Sequence, residues 1–166
     1  STLRVGLEKS RNLMTVRISQ KLGIDKVVNF SKQLGIYDNP SELLSISLGS
    51  AETTLLKLTS AYCAFVNGGK LVKPVLIDRI QDSQGNTIIN NQQRQCLNCN
   101  EISFTSNEYP EIENNFKEVF STQTAYQVTS LLEGVILRGT GKKLKKLNLN
   151  LAGKTGTTNE NTDAWF

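Results

Sequence analysis

The sequence predicts an α+β fold, and three observations carry that prediction. Apolar residues recur at helical spacing through much of residues 3–66 and again over 122–137. Between those stretches, "KPVLIDRIQDSQGNTIIN" has the apolar runs and the Gly-Asn punctuation of a β-hairpin. After them, leucines at every second position lead into "AGKTGTT", the period of a strand.

Each element follows in order. Leu3 and Leu7, then Leu13, Val16 and Ile18, flank the polar "KSRN", so two helices are expected to meet at a turn there. In "GIDKVVNFSKQLGI" a short helix carries Val27, Val28, Phe30 and Leu34, with Asp25 as its candidate N-cap and Gly35 as its terminator. "YDNPSELLSISLGS" reads as a turn and an extended stretch leading to a cap. Leu55, Leu58, Tyr62, Phe65 and Val66 mark the clearest helix, closed by Gly68 and Gly69. Val75, Ile77 and Ile80 suggest the first strand of the hairpin, "DSQGN" its turn and "TIIN" its return. Residues 91–115, rich in Asn, Gln, Ser and Glu, read as an inserted surface loop. Tyr126, Val128, Leu131, Leu132 and Val135 restore a helix that "RGTG" ends. Leu147, Leu149 and Leu151 then set Lys154 near the end of a half-buried strand, with "TDAWF" as the next strand, paired through "TNEN".

Composition narrows the chemistry. A chain of 166 residues with 38% hydrophobic content can bury one core of ordinary size. The net charge of +4 is mild, and Lys142, Lys143, Lys145 and Lys146 have no aromatic residue among them for base stacking. They read as a solvated connector, and no nucleic-acid partner is expected. There is no histidine, which excludes Ser-His-Asp and Cys-His pairs and removes the usual nitrogen ligand of zinc. Proton transfer falls to lysine, a carboxylate or water, and a lysine base needs its pKa lowered by burial or by cationic neighbours. Cys63 reads as a small buried hydrophobe. Cys96 and Cys99 are half a zinc site with no second half; a local disulfide on an exposed loop fits them if the compartment is oxidising, and the pair reads as structural or incidental. No metal or cofactor is expected. No run approaches the roughly 18 apolar residues of a membrane span, and no signal-peptide core stands at Ser1. Both ends read as cut from something longer, so a membrane link is expected only through an upstream anchor.

Two short motifs carry chemistry. "GKTGT" resembles a phosphate loop only superficially, because Asn148 stands where the first glycine of that motif is required. Taken alone, Lys154, Thr155, Gly156 and Thr157 present an ammonium and two hydroxyls on a strand, around a glycine that admits a second backbone. Ser10 and Asn12 would ordinarily be caps of the helix beginning near Leu13.

Together, Ser-x-Asn and Lys-Thr-Gly are two of the three signature elements of the serine acyltransferases that penicillin acylates. "TLRVGLEKSRN", "SLGSAETTLLKLTSAYCAFVNGGKLVKP", "GTGKK" and "AGKTGTTNENTDAWF" resemble, in order, the transpeptidase domain of class A penicillin-binding proteins. The resemblance covers residues 1–166 as one partial domain, apart from 91–115. It implies a serine D,D-transpeptidase/β-lactamase-like fold, an antiparallel sheet flanked by helices beside a helical subdomain, incomplete at both ends. Ser10, Asn12 and Lys154 would be catalytic, while Thr155, Gly156 and Thr157 would bind substrate. The implied substrates are peptidoglycan stem peptides and the implied inhibitors β-lactams, at the periplasmic or extracytoplasmic face of the inner membrane. The third element, Ser-x-x-Lys, is absent: no serine in the chain has a lysine three residues on. The chain by itself is therefore expected to be inactive. A β-lactamase or D,D-carboxypeptidase fragment, or a non-catalytic binding module, is the alternative.

Overall fold

The computed structural model describes residues 1–91, 94–97, 99, 109–114, 116–158 and 164–166. Helices α1 (Leu3–Glu8) and α2 (Asn12–Leu22) meet at the Lys9–Arg11 turn, as their polar junction predicts. Helix α3 (Ile24–Gln33) follows at once. Its N-cap is Gly23 rather than Asp25, which lies inside the first turn. There the carboxylate complements the positive end of the helix dipole instead of capping a backbone N–H. Gly35, at φ 70°, ends the helix as expected.

Residues 44–48 depart from the sequence reading. Leu44–Leu48 form a 3₁₀ helix, not an extended stretch. The Ser47 hydroxyl donates to the Leu44 carbonyl at 2.6 Å and Ser50 Oγ to Ser45 Oγ at 3.0 Å. Short serine side chains thus support the tight turn locally, where an extended chain would leave them to solvent.

Helix α4 (Leu55–Val66) starts at Thr54, whose hydroxyl accepts from the Lys57 N–H. It buries Ala61 and Ala64 against Leu34, with Ile36, Leu71, Val119 and Phe120 around them. Cys63 is exposed, contrary to its reading as a buried hydrophobe. It lies about 200° around the helix from Ala61, on the opposite face. The helix closes on Gly68 and Gly69; a Cβ on Gly69 would collide with the Phe120 carbonyl. The Phe30 and Phe65 rings pack on Phe120 with centroids 6.1 and 5.2 Å away.

The strands are short and antiparallel. β1 (Lys70–Leu71) pairs with β6 (Lys117–Glu118), β2 (Arg79–Gln81) with β3 (Thr87–Asn90), and β4 (Arg94–Cys96) with β5 (Ile112–Asn114). The predicted hairpin is therefore present, but Val75 and Ile77 precede its strand and are exposed. Its turn is pinned by the Asp82 carboxylate, which accepts from Gln84 N–H, Asn86 N–H and Asn86 Nδ2. Within 91–115, β4 and β5 give the described residues a paired ladder, and Cys96 is disulfide-bonded to Cys99. Most of the remainder of that stretch lies outside the described residues.

Helix α5 (Thr122–Leu137) is the central support, burying Ala125, Leu132, Val135 and Ile136. Lys142–Leu147 then form an exposed 3₁₀ helix. The expected strand through Leu147, Leu149 and Leu151 does not form. Asn148 takes a left-handed conformation at φ 53°, which breaks the extended run, and Leu147 and Leu149 remain exposed. The strand begins later, as β7 (Gly156–Thr157), paired with β8 (Ala164–Trp165). Most of the connecting "TNEN" lies outside the described residues. No helix among the described residues is long and apolar enough to cross a membrane.

Candidate active site

One wall of the site depends on how α1 stops. The Ser10 N–H donates to the Leu7 carbonyl at 3.1 Å, and the Arg11 N–H to the Gly6 carbonyl at 2.9 Å. This pair of bonds is the Schellman closure of a helix, whose left-handed position is usually glycine. Here it is Ser10, at φ 51°. A side chain in that conformation costs about 1 kcal/mol. The strained residue carries a hydroxyl that glycine lacks, and this hydroxyl accepts a hydrogen bond from Lys154 Nζ at 2.9 Å.

Neither motif residue is used as a cap. Arg11 occupies the N-cap position of α2 without a side-chain bond, and Asn12 is the first helical residue, exposed to solvent. It stands two residues after Ser10, at the start of α2.

The facing wall comes from the segment entering β7. Lys154 is half-buried and donates both to Ser10 Oγ and to the Thr155 carbonyl, the latter at 2.7 Å. Burial pulls its pKa below the ordinary lysine value, which raises the share of neutral amine at a given pH. Gly153 is buried under the Phe166 ring, so the backbone beside Lys154 is held from behind. Thr155 is half-buried, while Gly156 and Thr157 are exposed in β7. Beyond its pairing with β8, β7 has no further strand partner among the described residues. The structure thus joins Ser10, Lys154 and Thr155 in one chain of polar contacts. Gly156 and Thr157 extend it along the strand.

Three residues that sequence reasoning passed over complete the arrangement. Thr140 Oγ1 lies 2.7 Å from Thr155 Oγ1. Glu8, only 3% exposed, is gripped by Arg138 through bonds of 2.6 and 3.3 Å, with Arg4 at 3.8 Å. The guanidinium beside it holds the Glu8 carboxyl below the usual glutamate range. The Thr140 N–H donates to the Glu8 carbonyl at 3.1 Å, and Lys9 Nζ to the Arg138 carbonyl at 3.0 Å. The turn after α5 is therefore clamped to the end of α1, the end that presents Ser10. The signal available in sequence was "RGTG", a threonine enclosed by glycines, which reads locally as a helix terminator and enters the family resemblance only as part of "GTGKK".

The sequence profile of the penicillin binding protein transpeptidase domain matches residues 1–164. The chain belongs to this transpeptidase family. Penicillin-binding protein 1A of Rickettsia bellii is 45% identical over 99% of the chain, which covers 21% of that relative. Its counterpart from Neisseria lactamica is 34% identical, again over 99% of the chain and 19% of the relative. The crystal structure of penicillin-binding protein 1A from Haemophilus influenzae superposes with a TM-score of 0.79 at 32% identity, over 98% of this chain and 27% of that one. The chain spans about a fifth of the length of the curated relatives it matches. Its α+β architecture is that of a penicillin-binding transpeptidase domain. Among the described residues, no cluster of His, Cys, Asp and Glu is arranged to hold a metal.

Proposed function

We propose that these residues form two walls of the acyl-transfer cleft of a serine-type D-Ala-D-Ala transpeptidase acting on peptidoglycan stem peptides. The observation that carries the reading is the Lys154–Ser10 hydrogen bond, made by a partly desolvated lysine to a strained serine. The attacking serine and its lysine base come from a Ser-x-x-Lys element outside the 166 residues, because no such pair occurs within them.

A stem peptide ending in D-Ala-D-Ala lies antiparallel along β7, on the edge not taken by β8. Thr155 and Thr157 donate hydroxyl hydrogen bonds to its terminal carboxylate, next to the Lys154 charge. The Thr157 N–H and the N–H of the nucleophilic serine receive the carbonyl oxygen as it becomes an oxyanion. Such a donor is worth about 3 to 4 kcal/mol. The serine oxygen forms the ester bond as the peptide C–N bond breaks. Ser10 and Lys154 pass the proton to the departing D-Ala amine, while Asn12 orients the lysine base and the substrate amide. An amine from a second stem peptide then displaces the serine and closes the crosslink. A β-lactam takes the place of the first peptide, and its acyl group stays attached. Both substrates occur at the extracytoplasmic side of the inner membrane, where the protein would work, held by an anchor elsewhere in the polypeptide.

Intact-mass spectrometry with a labelled penicillin tests this. A longer polypeptide that includes the Ser-x-x-Lys element should gain one β-lactam mass, and residues 1–166 alone should gain none. Acylation of the short chain would make Ser10 the first suspect and would overturn the assignment of roles.

A further inference from the structure

We propose that Thr140 is a positioning residue that fixes the Thr155 hydroxyl as a carboxylate donor; the inference rests on the cleft described under Proposed function. A hydroxyl has one hydrogen, so Thr155 can give its own to a ligand carboxylate only if its contact with Thr140 runs the other way. The separation of 2.7 Å permits either direction. With a carboxylate bound, Thr140 donates to Thr155 Oγ1 and Thr155 donates to the ligand. Each bond polarises the next, which makes Thr155 a stronger donor than a lone hydroxyl.

Thr140 is held for this role from its backbone. Its N–H is committed to the Glu8 carbonyl, and the preceding carbonyl but one, that of Arg138, accepts from Lys9. The Gly139 between them packs so closely on the Glu8 carbonyl that a Cβ there would collide with it. The turn therefore cannot drift from α1 without breaking the Glu8 contacts. Through it, the carboxylate donor on the strand wall and Ser10 on the helical wall are referred to one buried anchor, Glu8.

The test uses the full-length protein containing these residues, with Thr140→Val, Thr140→Ser and a labelled penicillin offered as free acid and as methyl ester. The acylation rate for the free acid should fall about five- to tenfold in Thr140→Val, the loss expected for one neutral hydrogen bond. The rate for the ester should stay within about twofold, and Thr140→Ser should restore acid preference. Thr140→Ala repeats the comparison if the valine variant fails to fold. Equal losses with acid and ester, or no loss with either, would overturn the role of Thr140. Absence of any adduct in the wild-type protein would instead overturn the acyl-transfer reading beneath it, and the two failures are thereby told apart.

Discussion

At the scale of single residues, Ser10 is the most informative position. It holds a backbone conformation suited to glycine and uses its side chain to receive Lys154. Two substitutions separate those properties. Ser10→Gly relieves the conformation and Ser10→Ala retains it, so the glycine variant should be more stable than the alanine variant by about 1 kcal/mol in urea unfolding. Both should lose β-lactam acylation in the full-length protein, since neither carries the hydroxyl. A Ser10→Gly enzyme with full activity would remove Ser10 from the mechanism. Lys154 offers a second test. Its burial lowers its pKa, so the charged form proposed to face the carboxylate and pass a proton through Ser10 should be lost at lower pH than for a free lysine. The limb of the pH–rate profile due to Lys154 should fall as pH rises through that lowered pKa. Lys154→Arg keeps the charge but cannot deprotonate, so this limb should vanish with a rate loss of about 100-fold or more.

At the scale of elements, the junction of α1 with α5 sets the geometry of the cleft. Gly134 lies directly under the Glu8 carboxylate, where a Cβ would collide with Oε1. The carboxylate cannot yield because Arg138 holds both its oxygens. Gly134→Ala should therefore cost about 1 to 3 kcal/mol, read from the urea midpoint. Glu8 also links this junction to pH. Its carboxyl is shifted below the ordinary value of 4.5, so its contribution to stability is present above that value and is lost as pH falls through the folded-state pKa. Unfolding midpoints taken between pH 7 and pH 3 should show an acid-sensitive component in the wild type that Glu8→Gln lacks (about that range, from ordinary carboxyl titration). The expected strand at Leu147–Leu151 fails at this same scale: one left-handed residue, Asn148, outweighs the alternation of leucines.

At the scale of the whole molecule, the accessible surface is 12655 Å². A compact monomer of 18.4 kDa would expose about 8,200 Å². Leu55, Leu56, Val66 and Leu76 are among the apolar side chains left in solvent, and the groove edged by Leu56, Leu71 and Leu76 has a volume of about 1030 Å³. Open apolar surface of this extent is a binding surface for the dye ANS. Residues 1–166 alone should raise ANS fluorescence in native buffer, and a longer polypeptide that packs on this surface should not. Equal dye binding by both would mean that the surface stays open in the larger protein.

Much was legible in the sequence by itself. Helices α1 and α2 follow from apolar spacing on either side of a polar turn, and α3, α4 and α5 from apolar spacing with glycine termini, because these features act within a turn or two of chain. The Asp82 hairpin follows for the same reason. The family, too, was legible, through "KSRN", "SLGSAETT" and "AGKTGTT" in order. Only the tertiary structure decided that Ser10 is left-handed, that Lys154 reaches it across 144 positions, and that Thr140 meets Thr155. It also decided that Cys63 faces outward and that residues 44–48 wind into a 3₁₀ turn. The difference is one of range. Helix periodicity and capping are set by neighbours a few bonds apart, whereas a buried carboxylate such as Glu8 acquires its partner, and the cleft its width, only when distant segments close on one another.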